Sequence, residues 1–194
     1  MNTKIILASS SPRRMDLIKL ISKDVIVKPS SVEENGNSEY GFPAMAMGLA
    51  FSKAINISEA YENEIVIGAD TIVVHDNKVM GKPSNRQEAF EMLKELSNNS
   101  HEVITGFAII QKSKNRKVVN YSKTIVAFDE YSYDEINRYL NSGEYFDKAG
   151  AYGIQGAFGV HVKNINGSYY NVVGLPIDLV YRTLREEFDY VANE

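Results

Sequence analysis

Residues 4–21 read KIILASSSPRRMDLIKLI. The aliphatic run at 4–8 has the length and composition of a buried strand. Three serines then break the run. Pro12 suits a first helical turn, Ser11 supplies a capping oxygen, and Leu17, Leu20 and Ile21 recur at helical spacing over residues 13–21. Strand, polar turn and helix make the unit from which parallel sheets are assembled.

The rest of the chain repeats that alternation. Residues 24–28 (DVIVK) predict a second strand, and residues 43–60 a long helix with Ala46, Leu49, Ala50 and Ile57 among its apolar positions. A third strand over 64–69 (EIVIGA) ends at Asp70 and is continued by the β-branched run 71–74, before an Asp76-Asn77 turn. Ser84 and Gln87 match a capping box opening a helix to about residue 96. Residues 102–110 and 118–128 alternate as a strand pair joined by a charged turn. Ser132 and Glu135 form a second capping box, and Gly143 marks that helix's stop. A glycine-rich stretch follows, then a strand over 160–165, an Asn166-Gly167 turn and a helix over 176–188. This predicts an α/β fold, a twisted mixed sheet flanked by helices, in one domain over residues 1–194 with two lobes around a central cleft.

Composition narrows the function. The 194 residues are 44% hydrophobic and 24% charged, a balance that excludes disordered, fibrous and coiled-coil chains. There are 21 basic against 25 acidic side chains, a net charge of −4, and no basic cluster interleaved with aromatics. No nucleic-acid partner is expected. The absence of cysteine excludes disulfides, a thiolate nucleophile and cysteine-held metals. No run of about 18 apolar residues predicts a membrane span, and the amino-terminal apolar run is too short for a signal core, so the expected location is the cytoplasm. His75, His101 and His161 lack the H-E-x-x-H spacing and no G-x-S-x-G elbow occurs, which argues against metalloprotease and serine-esterase chemistry.

Five features can carry chemistry. Ser9-Ser10-Ser11-Pro12-Arg13-Arg14 combines hydroxyls, two guanidiniums and a helix entrance, all donors suited to phosphate; the alternative is a cap with solvent-facing arginines. Asp70, closing an apolar strand, stands where α/β sheets place ligands and can bind Mg²⁺ or accept a proton from water; the alternative is a turn aspartate. Lys82, in Met80-Gly81-Lys82-Pro83-Ser84, can reach a phosphate although the segment fails the Walker pattern. Lys53, inside the long helix, fits either a phosphate ligand or a solvated face. The stretch 147–156 (DKAGAYGIQG) implies a closely approached backbone, with Gln155 able to read a base edge and Tyr152 able to stack or pack. The set suits a triphosphate with a metal and water as the attacker, and leaves the substrate open.

The chain resembles the Maf family of nucleoside triphosphate pyrophosphatases over nearly its whole length. The resemblance is carried by residues 8–14 (ASSSPRR), 69–71 (ADT), 81–83 (GKP), 101–103 (HEV) with Thr105-Gly106, 147–156, and 170–176 (YNVVGLP). It implies hydrolysis between the α and β phosphates to a monophosphate and pyrophosphate, with Asp70 as general base. It implies phosphate binding by Ser9, Arg13, Arg14, Lys53 and Lys82, and a divalent cation, Mg²⁺ or Mn²⁺, held by Glu33 and Asp70. The family fold is inosine triphosphatase-like, with homodimers common. Arg13, Thr71 and Gln155 match the branch resembling dTTP and UTP pyrophosphatases, which implies pyrimidine triphosphates, modified ones included, as substrates in the house-cleaning of nucleotide pools. The family is also associated with inhibition of septum formation. Asn98 and Tyr145 depart from the family pattern, which has glycine and proline there. Two rival functions use similar contacts: a nucleotide-binding regulator of cell division without obligatory catalysis, and a purine, ITP-type pyrophosphatase.

Overall fold

The structure is a computed structural model and describes residues 4–32, 36 and 38–191. In chain order the elements are β1 (Ile5–Leu7), α1 (Pro12–Ile18), β2 (Val25–Val27), α2 (Phe42–Ser58), β3 (Ile65–His75), β4 (Lys78–Met80), α3 (Arg86–Leu96), β5 (Ser100–Gln111), β6 (Arg116–Phe128), α4 (Tyr133–Leu140), β7 (Val162–Asn166), α5 (Tyr169–Val173) and α6 (Ile177–Phe188). The strands form one seven-stranded sheet of order β2-β1-β3-β5-β6-β7, with β4 paired to β3. β1 runs parallel to β2 and β3, while β3/β4 and β6/β7 are antiparallel. The expected mixed α/β fold is present. Among the described residues no helix is long and apolar enough to cross a membrane.

Local signals explain most boundaries. Ser11 caps α1, its side chain accepting from Arg14 N–H, with Pro12 in the first turn. α1 ends at Ile18, earlier than the apolar spacing suggests. Leu20 and Ile21 N–H donate to the carbonyls of Leu17 and Ile18, a three-residue repeat that tightens the chain out of the α-helix. The predicted cap of α3 moves by one residue. Asn85, as good a cap as serine, accepts from Glu88 N–H at 2.9 Å, and the Glu88 carboxylate reaches back to Ser84 N–H and Oγ. The Ser132/Glu135 box opens α4 as expected. Asp76 and Asn77 take positive φ, 44° and 59°, in the two-residue turn between β3 and β4.

The chain divides into two compact units. The first takes the chain to Thr71 and returns over Thr105–Ser122 and again from Gly174; the second comprises Ile72–Ile104 and Lys123–Val173. In the first, α2 presents Ala50 and Ala54, one turn apart, to strand residues Ile6, Ala8, Val66 and Ala108, and Ala46, a turn earlier, to Gly106. Two strand glycines permit this approach. A Cβ on Gly106 would run into the backbone of Ala46 and Met47, and one on Gly68 would meet Ala50 O and stand 2.8 Å from Ala54 N. Helix and sheet therefore touch backbone to backbone.

The second unit is held by aromatic rings. Phe128 meets Tyr152 edge-on at 4.8 Å between centroids, and Tyr131 meets Phe158 at 5.0 Å. Tyr131 Oη–H donates to Leu93 O at 2.6 Å. His101 is buried among these rings, and its Nε2 lies 2.7 Å from Tyr152 Oη. Tyr169 and Tyr170 instead stay on the surface, edge to face with each other.

Two predictions follow from this packing. Gly106→Ala forces α2 off the sheet and lowers stability by about 1–3 kcal/mol, read from urea unfolding. Burial, with the charge of His75 second, holds His101 down to about pKa 4 from 6.5. An unfolded chain therefore binds the extra proton first as pH falls. The stability that His101 contributes is whole above pH 6.5 and drains away towards about pH 4, a loss of up to roughly 3 kcal/mol. A His101→Gln variant whose unfolding midpoint falls just as steeply over that window would refute this.

Candidate active site

β1 delivers the chain to the serine run. Ala8 N–H still donates to Ile67 O at 2.8 Å, so pairing continues to residue 8 and is released at Ser9. Ser9 is buried, and its Oγ accepts from Ser11 N–H at 3.3 Å and from Arg14 Nη1 at 3.2 Å. Arg14 turns back from α1 as a hub. Its Nε donates to Gly174 O at 2.7 Å and its Nη2 to Thr71 Oγ1 at 2.9 Å. Thr71 Oγ1 also lies 2.9 Å from Thr105 Oγ1 on β5. Gly174 sits at φ 126°, a conformation that favours glycine, and this aims its carbonyl at the guanidinium. The planar fork of Arg14 thus ties the serine loop, β3 and the lead-in to α6 together, with three donors in fixed directions.

Asp70 lies on the other face of β3, since neighbouring strand residues alternate. It is the sixth residue of an eleven-residue strand, and so does not close that strand as the sequence suggests. Pairing with β1 stops at Leu7↔Ile67, however, so Asp70 lies just past the carboxyl end of the parallel part, where such sheets bind ligands. Lys53 reaches it from α2, Nζ to Oδ1 at 2.6 Å, with both side chains 10% exposed. Lys53 is therefore buried rather than on a solvated face. The contact fixes the carboxylate through Oδ1 and leaves Oδ2 as the oxygen that water or a cation could meet.

The other expected residues fall as follows. Arg13 precedes Arg14 on α1 and is half-buried. Glu33 lies outside the described residues. Lys82 and Gln155 are exposed side chains of the second unit. The segments that carry them are joined, because Gly150 N–H donates to Gly81 O at 3.1 Å. What crowds the glycine stretch is this unit's own core: a Cβ on Gly150 would stand 3.1 Å from Val73 Cγ1. Tyr152 packs and hydrogen-bonds instead of offering a free stacking face. Thr105 and Gly174 had no role in the sequence reading; their only signal was membership in the blocks TG and VVGLP that carry the resemblance.

The site thus combines a buried lysine–carboxylate pair past a parallel strand end with an arginine-braced serine loop. The chain belongs to the family described as Maf-like protein, whose model matches residues 4–187. Proteins named dTTP/UTP pyrophosphatase are similar along nearly their whole length. One from Bacillus cereus is 49% identical over 184 residues, 94% of this chain and 95% of its own. One from Alkaliphilus oremlandii is 46% identical over 187 residues, 96% and 97% of the two chains. One from Clostridium acetobutylicum is 44% identical over 191 residues, 93% and 96% of the two chains. The solved structure of a HAM1 protein from Coxiella burnetii covers 95% of this chain and 99% of its own at a TM-score of 0.51 and 15% identity, a likeness of fold alone.

The buried pair predicts a stability cycle. Lys53→Met strands the Asp70 carboxylate without its counter-charge and costs about 3–5 kcal/mol, whereas Lys53→Met with Asp70→Asn recovers most of that loss. Denaturant unfolding of both single variants and the double variant measures the coupling; additive losses would show that the two groups do not interact.

Proposed function

We propose that the protein hydrolyses dTTP and UTP between the α and β phosphates, releasing the nucleoside monophosphate and pyrophosphate. The observation that carries this reading is Asp70, clamped through Oδ1 by Lys53, in a chain 44–49% identical over 93–94% of its length to proteins named for that activity.

Asp70 is the general base. Its Oδ2 takes a proton from a water as the water oxygen attacks the α-phosphorus in line with the departing bridging oxygen. The bond to the bridging oxygen breaks, and its electron pair leaves with pyrophosphate. Lys53 keeps the carboxylate in one orientation during the transfer. Ser9 and Arg13 supply phosphate contacts on the serine loop, while Arg14 works at one remove by fixing Ser9 and Thr71. The phosphate role of Lys82 and the base-reading role of Gln155 rest on the family resemblance. Thr71, matched to the pyrimidine branch, has its hydroxyl engaged by Arg14 and Thr105. Its influence on substrate choice therefore acts through the position of the loop.

A magnesium ion fits the donor set. Mg²⁺ takes oxygen ligands and keeps several waters, so Asp70 would hold it through an intervening water, and Oδ2 stays open to take the proton. When bound it neutralises phosphate charge and polarises the α-phosphoryl group.

Asp70→Asn should lower turnover about 10²–10⁴-fold with dTTP and UTP while the protein remains folded by circular dichroism. ³¹P NMR of the wild type with Mg²⁺ and each of dTTP, UTP, CTP, GTP, ATP and ITP should give pyrophosphate fastest from the first two. Near-full turnover by the variant removes Asp70 as base. Binding without cleavage replaces hydrolysis by nucleotide sensing, and preference for ITP moves the substrate to purines.

A further inference from the structure

A second group of metal-ligand type lies at the end of the β3–β4 hairpin, built from none of the residues assigned to the reaction. His75, the last residue of β3, is 7% exposed. Its Nδ1 stands 3.1 Å from the carbonyl oxygen of Ser100, the first residue of β5. That carbonyl can only accept, so Nδ1 carries the proton and the lone pair of the neutral ring is on Nε2. Nε2 faces the Asp76 carboxylate, with Oδ2 at 3.7 Å, beyond hydrogen-bond distance. Glu95, in the last turn of α3, brings one carboxylate oxygen to the same place. The three ligand atoms lie within 4.8 Å of one another.

Two carboxylates and an imidazole lone pair are all acceptors, and three acceptors converge usefully only on a cation. The imidazole is buried and held through its other nitrogen by a backbone carbonyl, the outer contact that orients metal-binding histidines. Asp76 and Glu95 are exposed and able to swing inward. Bonds of about 2.0–2.1 Å in tetrahedral geometry need ligand atoms about 3.3 Å apart, so closing the 3.7 Å pair takes only a small side-chain rotation. One nitrogen ligand among oxygens favours a first-row transition cation over Mg²⁺ or Ca²⁺, which take all-oxygen shells.

We propose that His75, Asp76 and Glu95 form a three-ligand site for a divalent transition cation, Zn²⁺ foremost, with water completing the shell. The ion ties the hairpin tip to the end of α3 and, through His75, to the start of β5. It serves as a clip within the second unit and takes no part in nucleotide hydrolysis.

The test uses the whole chelator-treated protein, with Zn²⁺ alone as the probe. Zn²⁺ raises Tm saturably with one ion per chain by calorimetry, and Mg²⁺ at the same concentration does not. Asp76→Asn keeps the left-handed turn, because asparagine tolerates that backbone, and Glu95→Gln changes only an exposed helix side chain. Each raises the Kd for Zn²⁺ by about tenfold or more. Asp70→Asn leaves the Zn²⁺ response intact, which separates this site from the one proposed for magnesium. The proposal is overturned if Zn²⁺ leaves Tm unchanged, if Asp76→Asn and Glu95→Gln both bind as the wild type does, or if Asp70→Asn abolishes the response.

Discussion

The backbone-to-backbone approach of α2 to the sheet is the constraint on which the first unit depends. Gly68 and Gly106 remove the side chains that would hold the helix away, and Ala46, Ala50 and Ala54 remove those of the helix. Gly68 and Asp70 are two residues apart and share a face of β3, so the glycine that admits the helix also brings Lys53 onto Asp70. A buried ion pair is a poor source of stability, because desolvating both charges offsets most of their attraction. Its presence under a closely packed helix fixes the orientation of the Asp70 carboxylate.

The opposite face of β3 is organised by hydrogen bonds rather than by shape. Arg14, Thr71, Thr105, Ser9 and Gly174 O satisfy one another in a network contributed by four separate stretches of chain. Such networks lose more than the sum of their parts when a member is removed, since each remaining polar group is left partly buried without its partner. Arginine suits the hub because its donors diverge in a fixed plane, and lysine would supply a single point of contact.

Local chemistry made much of the architecture legible. Residues 4–14 predicted the first strand, the Ser11 cap and the helix start, because capping and proline preferences are decided within a few residues. The Ser132/Glu135 box and the Asp76-Asn77 turn were legible for the same reason. What sequence reasoning missed depended on distant partners. The β-branched run after Asp70 signalled that the strand continues, but not that its far half is held by β4 and its near half by β1. Ser84 looked like a cap until Asn85, one residue on, took the role with Glu88. Lys53 looked solvated because only the glycines opposite it, more than ten residues away in sequence, draw it inside. Arg14 was legible as a source of donors but not as the hub it forms, because Thr105 and Gly174, which meet Thr71 and Arg14, carry no chemical signal of their own.

The glycine–alanine contact also limits how the first unit can move. Packed helices commonly slide past their neighbours by small shear displacements, accommodated by side chains that change rotamer. Where α2 meets Gly68 and Gly106 there is no strand side chain to change. Advancing the helix by one residue would set Met47 or Phe51 where Ala46 or Ala50 now clears the strand backbone, and no rotamer of either fits there. α2 is therefore keyed to the sheet like a ratchet tooth. Conformational change around Asp70 has to come from bending at loops, and the lysine and its carboxylate travel as one rigid piece.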